Sequence, residues 1–194
     1  MALLTIIAGP NGSGKSTVTK SVEFDGRTNL LDPDAIAFTF NSVDPSAAAL
    51  AAGREVLRRT AAYLASGTNF AVETTLSGKG NLDLIAHAKS LGYEVHLIFV
   101  GVDTPERCVS RVKNRVARGG HSVPEADVRR RYERSMANSV TAVRLVDLAK
   151  FYDNSKDGHR LVLIAKHGTI VWRAVPLPAW VRLPDTSGPL RPLQ

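Results

Sequence analysis

The chain has 194 residues, enough for one sizeable hydrophobic core but short for two domains. Hydrophobic residues make up 44% and charged residues 22%, a composition that excludes a disordered chain. The formal net charge of +7 is concentrated between residues 107 and 134, where nine Lys and Arg stand against three Asp and Glu. A concentrated basic segment with little aromatic content favours a small polyphosphate ligand and makes nucleic acid an unlikely partner.

The first predicted element is a buried strand over Leu3–Ala8, ended by a glycine-rich turn. No basic region precedes this apolar run, so it is interpreted as a strand rather than as a signal peptide. No apolar run reaches the roughly 18 residues of a membrane span, so no membrane association is expected. The single cysteine, Cys108, excludes an intrachain disulfide, and a cytoplasmic location is expected.

Strands and helices are then predicted in alternation, which indicates an α/β fold with a mostly parallel central sheet and helices on both faces. In the second predicted helix, Ser46 is expected to cap the start, and Leu50, Val56, Leu57 and Leu64 are expected on the buried side. The further strands are predicted at Asn29–Leu31, Phe70–Val72, Glu94–Val102, Leu148–Tyr152, Leu161–Ala165 and Thr169–Arg173, and the helices from near Lys15, from Pro45 to Ala65, from Asn81 to Leu91, from Pro105 to Ala117 and from Pro124 towards Lys150.

The composition changes after Arg173, because five of the ten prolines fall in the last nineteen residues. Such a proline-rich stretch favours an extended segment over a second packed domain. We therefore predict one domain over residues 1–173 and a Pro-rich C-terminal tail over residues 174–194.

The turn after the first strand carries the clearest motif, because residues 9–16 match the P-loop pattern GxxxxGK[ST] in full. Glycines let the backbone wrap closely around phosphate oxygens, and the backbone N–H groups stabilise their charge. Lys15 would bridge the terminal phosphates of ATP, and Ser16 would supply a hydroxyl ligand to Mg²⁺. The motif predicts a P-loop NTPase or kinase fold. The predicted nucleotide-binding residues are Gly9, Pro10, Asn11, Gly12, Ser13, Gly14, Lys15, Ser16 and Thr17.

Acidic residues follow two of the predicted strands. Asp32 and Asp34 come after the second strand, and Glu73 comes after the third. Because the carboxyl ends of parallel strands share one edge, these carboxylates are expected to face the P-loop, where one of them could take a proton from an acceptor hydroxyl. For Asp32 and Asp34 a turn and helix cap is the competing interpretation. Asp103, after the fourth strand, is interpreted as a cap of the following helix.

Arginines dominate the segment of about residues 107–135, where two basic helices are joined by Gly119 and Gly120. Such a hinge between cationic helices is typical of a lid that closes over phosphates, and a solvated helix face is the alternative for some of the arginines. The sequence leaves open which arginine grips the transferred phosphate. The candidates are Arg111, Arg115, Arg118 and Arg131.

An ordered set of motifs over residues 3 to 173 resembles the zeta toxin family of P-loop kinases, in particular its short bacterial branch. The set comprises the P-loop, Asp32-Pro33-Asp34, Phe70-Ala71-Val72-Glu73-Thr74-Thr75-Leu76, the Arg111–Arg118 segment, Gly119-Gly120-His121-Ser122-Val123-Pro124 and Tyr152-Asp153-Asn154-Ser155.

The resemblance implies an ATP-dependent kinase whose studied relatives phosphorylate a sugar hydroxyl of UDP-N-acetylglucosamine, and it brings an antitoxin protein as a candidate partner. It implies Asp34 as the general base, with Glu73 and Thr75 at the sugar site. Arg115 and Arg118 take the positions that grip the transferring phosphate, and Asn154 lies near the adenine. Lys15 completes the expected catalytic set, while Asp32 and Arg111 complete the expected substrate-binding set.

Two functions from different classes remain open at this stage. The first is a small-molecule kinase that uses ATP and Mg²⁺ and phosphorylates a hydroxyl acceptor. The second is a regulatory P-loop ATPase that binds a protein or a nucleic acid through its basic helices. Nucleotide-sugar-dependent turnover would favour the first function, and stimulation by nucleic acid or by a protein would favour the second.

Overall fold

The computed structural model describes residues 1–120 and 122–182. Within them, seven strands form one sheet, in the order β2-β3-β1-β4-β5-β6-β7. These strands are β1 (Leu3–Ala8), β2 (Leu30–Leu31), β3 (Phe70–Thr74), β4 (Glu94–Gly101), β5 (Leu148–Asp153), β6 (Arg160–Lys166) and β7 (Thr169–Arg173).

Six α-helices of the described residues connect these strands, and a short 3-10 helix (Arg27–Asn29) precedes β2. The predicted strands all have counterparts within a few residues. The helices are α1 (Lys15–Ser21), α2 (Pro33–Phe40), α3 (Ala49–Ser66), α4 (Gly80–Ser90), α5 (Pro105–Ala117) and α6 (Glu125–Leu145).

The pairing of the strands confirms the predicted mostly parallel sheet. β1 pairs in parallel with both β3 and β4, β2 pairs with β3, and β5 pairs with β4. The two remaining pairings, β5 with β6 and β6 with β7, are antiparallel and form a meander at this end of the sheet. All parallel strands therefore end at one edge of the sheet, where the loops that follow them meet.

Helices cover both faces of the sheet, as the side chains of β4 indicate. Leu97 and Phe99 pack into the large hydrophobic cluster, which includes residues of α3, α4, α5 and α6. Ile98 and Val100 point to the other face, where Val18 of α1 joins them in a second cluster. Because successive residues of a strand face opposite sides, a strand covered on both faces is buried along its whole length, and all six residues of β1 are buried, with Thr5 as the one polar residue among them.

Helix α2 is absent from the sequence prediction, which treated its start only as a possible turn or cap. Its signals are nevertheless present, because Asp32 caps the helix by accepting a hydrogen bond from the backbone N–H of Asp34 and Pro33 occupies its first turn. The start of α2 thus carries both acids, Asp32 and Asp34, directly after the carboxyl end of β2.

The predicted buried side of α3 was wrong in two positions. Leu50 and Leu57 are each 70% exposed, whereas Ala52, Thr60 and Leu64 are buried. The helix also begins at Ala49 rather than near Pro45, so the prediction that Ser46 caps it was wrong; the backbone N–H groups of residues 46 and 47 instead donate to the carboxylate of Asp44. Leu64 is therefore buried as predicted, Val56 packs partly buried against the same core, and Leu50 and Leu57 face outwards.

Two further helix boundaries also differ from prediction. Thr104, not Asp103, caps α5, since the Thr104 side chain accepts the backbone N–H of Arg107. Asp103 instead forms an ion pair with the Arg107 side chain. Helix α6 ends at Leu145, before β5, and does not continue to Lys150.

Residues 174–182, here called the C-terminal strap, carry no helix or strand but pack against the domain. Trp180 and Val181 of the strap are buried, and Leu177 packs against the same core. The rest of the predicted Pro-rich tail, residues 183–194, lies outside the described residues, so the domain boundary at 173 stays a prediction. Within the described ranges, none of the helices combines the length and apolar character required to cross a bilayer.

Candidate active site

A cleft of about 1030 Å³ lies where the parallel strands β1, β2 and β3 end. Ligand sites in proteins usually measure roughly 300–1,000 Å³, so this cleft has room for a nucleotide and a second small molecule. Its lining combines residues from the P-loop, from both acid-bearing loops and from the arginine segment. The predicted site residues that line it are Asn11, Gly12, Gly14, Lys15, Ser16, Thr17, Asp32, Asp34, Glu73, Arg111, Arg115 and Asn154.

The P-loop links β1 to α1, and its glycines are required by close approaches as well as by backbone conformation. Gly14 has φ +94°, and a Cβ there would come within 2.1 Å of the side-chain amide of Asn154. Gly12 has φ +77°, and a Cβ there would meet the carbonyl of Cys108 at 2.6 Å. Side chains at these positions would both strain the backbone and push the loop away from its supports. Cys108 of α5 and Asn154, which follows β5, therefore support the P-loop in this conformation.

Lys15 is buried inside this loop. Its ammonium group donates hydrogen bonds to the backbone carbonyls of Gly9 (2.9 Å) and Pro10 (3.4 Å), and it lies 3.9 Å from Oε1 of Glu73. Burial lowers the pKa of Lys15, and the carboxylates of Glu73, Asp34 and Asp32 act against this shift. The charge of Lys15 is thus directed at the region where P-loop, β2 and β3 meet.

The two acids after β2 have different surroundings. Asp32 is half-buried, and its carboxylate accepts the backbone N–H of Asp34 at 2.9 Å, which is the cap of α2. Asp34 is exposed and lines the cleft from the first turn of the same helix. The cap occupies one oxygen of Asp32, whereas the Asp34 side chain forms no hydrogen bond or ion pair within residues 1–120 and 122–182. Asp34 is therefore the acid more available to a bound molecule.

Glu73, on β3, is largely buried beside Lys15. Burial raises the pKa of Glu73 to about 7, and the negative charges of Asp32 and Asp34 add to the rise, while Lys15 and Arg115 oppose it. Near neutral pH this carboxyl group can therefore exist in either protonation state. A group of this kind, in a cleft and coupled to a lysine, is typical of a site where charge changes during binding.

A pH dependence of stability follows from this shift. A carboxyl group whose pKa is raised on folding favours the folded state below the usual value, near 4.5, and this advantage is lost as pH rises towards about 7. Relative to a Glu73→Gln variant, the wild type should lose roughly 1–3 kcal/mol of unfolding free energy between pH 5 and pH 8. Urea denaturation of both proteins measures this, and a pH-independent difference between them would contradict it.

The arginine segment is only partly directed at the cleft. Arg111 and Arg115 of α5 line it, whereas Arg118, exposed just after the end of the same helix, is not among the lining residues and lines a smaller second pocket together with Arg111 and Arg115. Arg131, on α6, contacts the P-loop through a 3.3 Å hydrogen bond from its guanidinium to the side chain of Asn11. The structure thus brings three of the four candidate arginines either to the lining of the cleft or into contact with the P-loop.

Other charges of this segment are neutralised locally. Arg129 bridges Glu125 and Glu106, and Arg130 pairs with Asp127. The concentrated positive charge that the sequence shows is therefore smaller at the surface of α6 than a count suggests.

The remaining predicted residues have mixed placements. Asn154 lies directly behind the P-loop, where its amide donates a 2.8 Å hydrogen bond to the carbonyl of Ser13. Thr75 follows β3 and its hydroxyl contacts that of Ser77 at 2.8 Å, but Thr75 is not among the residues that line the cleft. The sequence analysis missed two lining segments without motifs, namely Phe38 with residues 42–46, and residues 156–158.

The residues present fit ATP and a divalent cation. The glycine cradle surrounds a buried lysine, and Nη1 of Arg111 is buried without a hydrogen-bond partner among the described residues, as expected of a donor that awaits a phosphate. Ser16 presents its hydroxyl at the cleft. Within residues 1–120 and 122–182 there is no group of three His, Cys, Asp or Glu that could hold a metal. Ser16 would supply one ligand to a cation such as Mg²⁺, which usually takes most of its other ligands from phosphate and water.

Comparison with known proteins agrees with this geometry. A family model described as an AAA domain (AAA_33) matches residues 4–137, more than half of the chain. The chain belongs to this AAA domain family. An uncharacterized protein of Haemophilus influenzae is 36% identical over 124 residues, which are 64% of this chain and 88% of that protein.

Solved structures with low sequence identity share the fold of this AAA domain. A chain of the AvrRxo1-ORF1:-ORF2 crystal structure with ATP superposes with a TM-score of 0.74 at 16% identity, over 96% of this chain and 65% of that one. The chain therefore spans about two thirds of that larger protein. A chain of the PezAT chromosomal toxin-antitoxin system of Streptococcus pneumoniae has a TM-score of 0.56 at 18% identity, over 82% of this chain and 72% of that one. The fold is that of a P-loop kinase-like domain.

Proposed function

We propose that the protein is an ATP- and Mg²⁺-dependent kinase that transfers the γ-phosphoryl group to a hydroxyl of a small molecule. The observation that carries this proposal is one cleft in which Lys15 of the P-loop faces Asp34 and Glu73 from one side and Arg111 and Arg115 from another. Phosphoryl transfer needs cations around the migrating group and a carboxylate at the attacking hydroxyl. The cleft supplies both.

The proposed reaction assigns a task to each of these groups. The acceptor oxygen forms a bond to the γ-phosphorus, the bond from that phosphorus to the bridging oxygen of ADP breaks, and the hydroxyl proton passes to the Asp34 carboxylate. Lys15, Arg111 and Arg115 stabilise the negative charge on the phosphoryl oxygens. Asn154 holds the P-loop from behind, and Asp32 holds the α2 turn that carries Asp34. Bound through Ser16, Mg²⁺ would neutralise charge on the β- and γ-phosphates.

For the acceptor we propose a nucleotide sugar such as UDP-N-acetylglucosamine, in line with the resemblance to zeta toxins. Support comes from the size of the cleft, which exceeds the needs of ATP alone, and from structural neighbours that include a toxin-antitoxin system. Glu73 and Thr75 are the residues that the resemblance offers to the sugar. An antitoxin protein is the corresponding proposed partner, and the cytoplasm is the proposed location.

The competing function is a regulatory ATPase that binds nucleic acid or protein through α5 and α6. The ion pairs of Arg129 and Arg130 with neighbouring acids weaken the argument for a continuous basic surface. The direction of Arg111 and Arg115 towards the P-loop cleft favours the kinase.

A product screen tests the proposal. The purified protein is incubated with Mg²⁺, ATP labelled at the γ-phosphate and a panel of nucleotide sugars, and phosphorylated products are identified by mass spectrometry. We expect acceptor-dependent transfer of the label, which the Lys15→Ala variant lacks. ATP hydrolysis stimulated by RNA, DNA or a protein, with no labelled acceptor in the panel, would favour the regulatory ATPase.

The arginine assignment gives a separate prediction. Arg115→Ala should lower turnover about 10- to 100-fold while weakening ATP binding much less, because charge on the migrating phosphoryl group is bound most tightly in the transition state. Arg118→Ala is the matched variant from the same helix end, and we expect a smaller effect because Arg118 lies outside the lining of the cleft. Steady-state rates and calorimetric ATP affinities measure both. A larger loss in Arg118→Ala would assign the grip on the phosphate to Arg118.

A further inference from the structure

The C-terminal strap ends in a buried aromatic cluster beside the nucleotide loop. The Trp180 ring stacks on Phe151 at a centroid distance of 6.4 Å and lies 6.1 Å from Phe99. It also lies directly over Gly101, where a Cβ would come within 2.3 Å of the ring. Gly101 ends β4, and Trp180 therefore occupies a site that the sheet leaves open by having a glycine there.

The indole of Trp180 is also a hydrogen-bond donor. Its Nε1–H donates to Oδ1 of Asp153 at 2.9 Å, and the same carboxylate accepts the backbone N–H and the hydroxyl of Ser155 and the side chain of Arg160. Although burial alone would raise it, the pKa of Asp153 is lowered by these donors. Asp153, Ser155 and Trp180 are all less than a tenth exposed. A buried carboxylate with this many donors has a fixed orientation.

Between Asp153 and Ser155 stands Asn154, the residue that touches the P-loop. The backbone N–H of Asn154 donates to the carbonyl of Gly101 (2.9 Å), and the Ser155 hydroxyl accepts the backbone N–H of Asp103 (3.0 Å). Hydrogen bonds therefore fix the backbone of Asn154 and the side chains of both its sequence neighbours. In this position the Asn154 side-chain amide donates to the carbonyl of Ser13 and packs against Gly14. The chain of contacts runs from Trp180 through Asp153 and Asn154 to the nucleotide loop.

We propose that Trp180 is a positioning residue for nucleotide binding, which fixes Asn154 against the P-loop through its hydrogen bond to Asp153. The C-terminal strap thus contributes to nucleotide binding without contacting the nucleotide itself. The inference rests on the proposed function in one respect, that the P-loop binds ATP.

Trp180→Phe tests the inference, because phenylalanine keeps an aromatic ring in the cluster but lacks the N–H donor. In the full chain, the Kd for ATP measured by calorimetry should rise about 3- to 10-fold, the range that one net hydrogen bond supports. Tyr93→Phe is the matched control, since Tyr93 donates its hydroxyl to the carbonyls of Tyr63 and Thr68 at the opposite end of β4. That control should lower the melting temperature and leave the Kd unchanged.

A double-mutant cycle separates positioning from general destabilisation. If Trp180 acts through Asn154, Trp180→Phe should have no further effect on the Kd once Asn154 is already alanine. The inference would be overturned if the two substitutions changed the Kd independently, so that their fold-changes multiplied in the double variant. It would also be overturned by an unchanged Kd in folded Trp180→Phe, or by an equal change of Kd in Tyr93→Phe. Should Trp180→Phe not fold, Ser155→Ala, which removes another donor to Asp153, carries the same expectation. Absence of ATP binding in the wild type would overturn both this inference and the proposed function.

Discussion

Replacing Lys15 with alanine is expected to slow ATP turnover about 100- to 1,000-fold, because no other cation of the P-loop can supply its charge at the terminal phosphates. The lysine is already inside the glycine cradle and beside Glu73, so the substitution removes a charge that the fold has oriented in advance. Release of ADP, measured with a coupled assay in the presence of Mg²⁺ and an excess of acceptor, gives the rate.

Lys20→Ala is the matched control for this experiment. Lys20 belongs to the same helix, α1, but is exposed and does not line the cleft, so its removal should leave turnover within a few-fold of the wild type. Circular dichroism of both variants shows whether the fold is retained. A folded Lys15→Ala protein with normal turnover would refute the P-loop assignment.

Asp34→Asn is expected to reduce acceptor phosphorylation about 100- to 10,000-fold, which is the usual cost of removing a general base. Asparagine preserves the size of the side chain and cannot accept the proton from the hydroxyl. The affinity for ATP should stay close to that of the wild type, because Asp34 lies across the cleft from the glycine loop. The measurements are phosphorylated product per unit time and calorimetric ATP binding.

Asp32→Asn is the control that the geometry of α2 provides. The amide oxygen of asparagine can still accept the backbone N–H of Asp34, and asparagine caps helices as well as aspartate does. We therefore expect a small change in rate and a nearly unchanged melting temperature. If Asp32→Asn or Glu73→Gln lost activity while Asp34→Asn kept near-normal activity, the general base would be assigned to another carboxylate.

The sequence predicts this molecule best where the determinants are local. A glycine-rich turn between an apolar run and a helix has few alternatives to a P-loop, and the alternation of strands and helices fixes the parallel sheet. The acid-bearing loops were placed correctly at the sheet edge for the same reason, because strand ends follow from the apolar runs.

The sequence predictions failed where the burial of a residue depends on packing between segments that are distant in the sequence. In α3, Leu64 is buried as predicted, but Ala52 and Thr60 complete the buried side in place of Leu50 and Leu57, and small residues carry little hydrophobic signal. Trp180 stands in a proline-rich stretch whose composition is that of a linker. Nothing near it in sequence reveals that Gly101 leaves space for its ring. Arg118 likewise lies just after the end of α5, so its absence from the lining of the cleft could not be predicted from its spacing to Arg115.

Strand β2 has only two residues and pairs on one side alone, with β3, whereas the P-loop follows β1 in the middle of the sheet. Asp34, the proposed general base, therefore follows the edge strand of the sheet, whereas the P-loop, proposed to bind ATP, follows a central strand. Insertions or exchanges between α2 and α3 would reshape the acceptor end without disturbing the central strands. The architecture allows the choice of acceptor to diversify among related proteins while the nucleotide half stays constant.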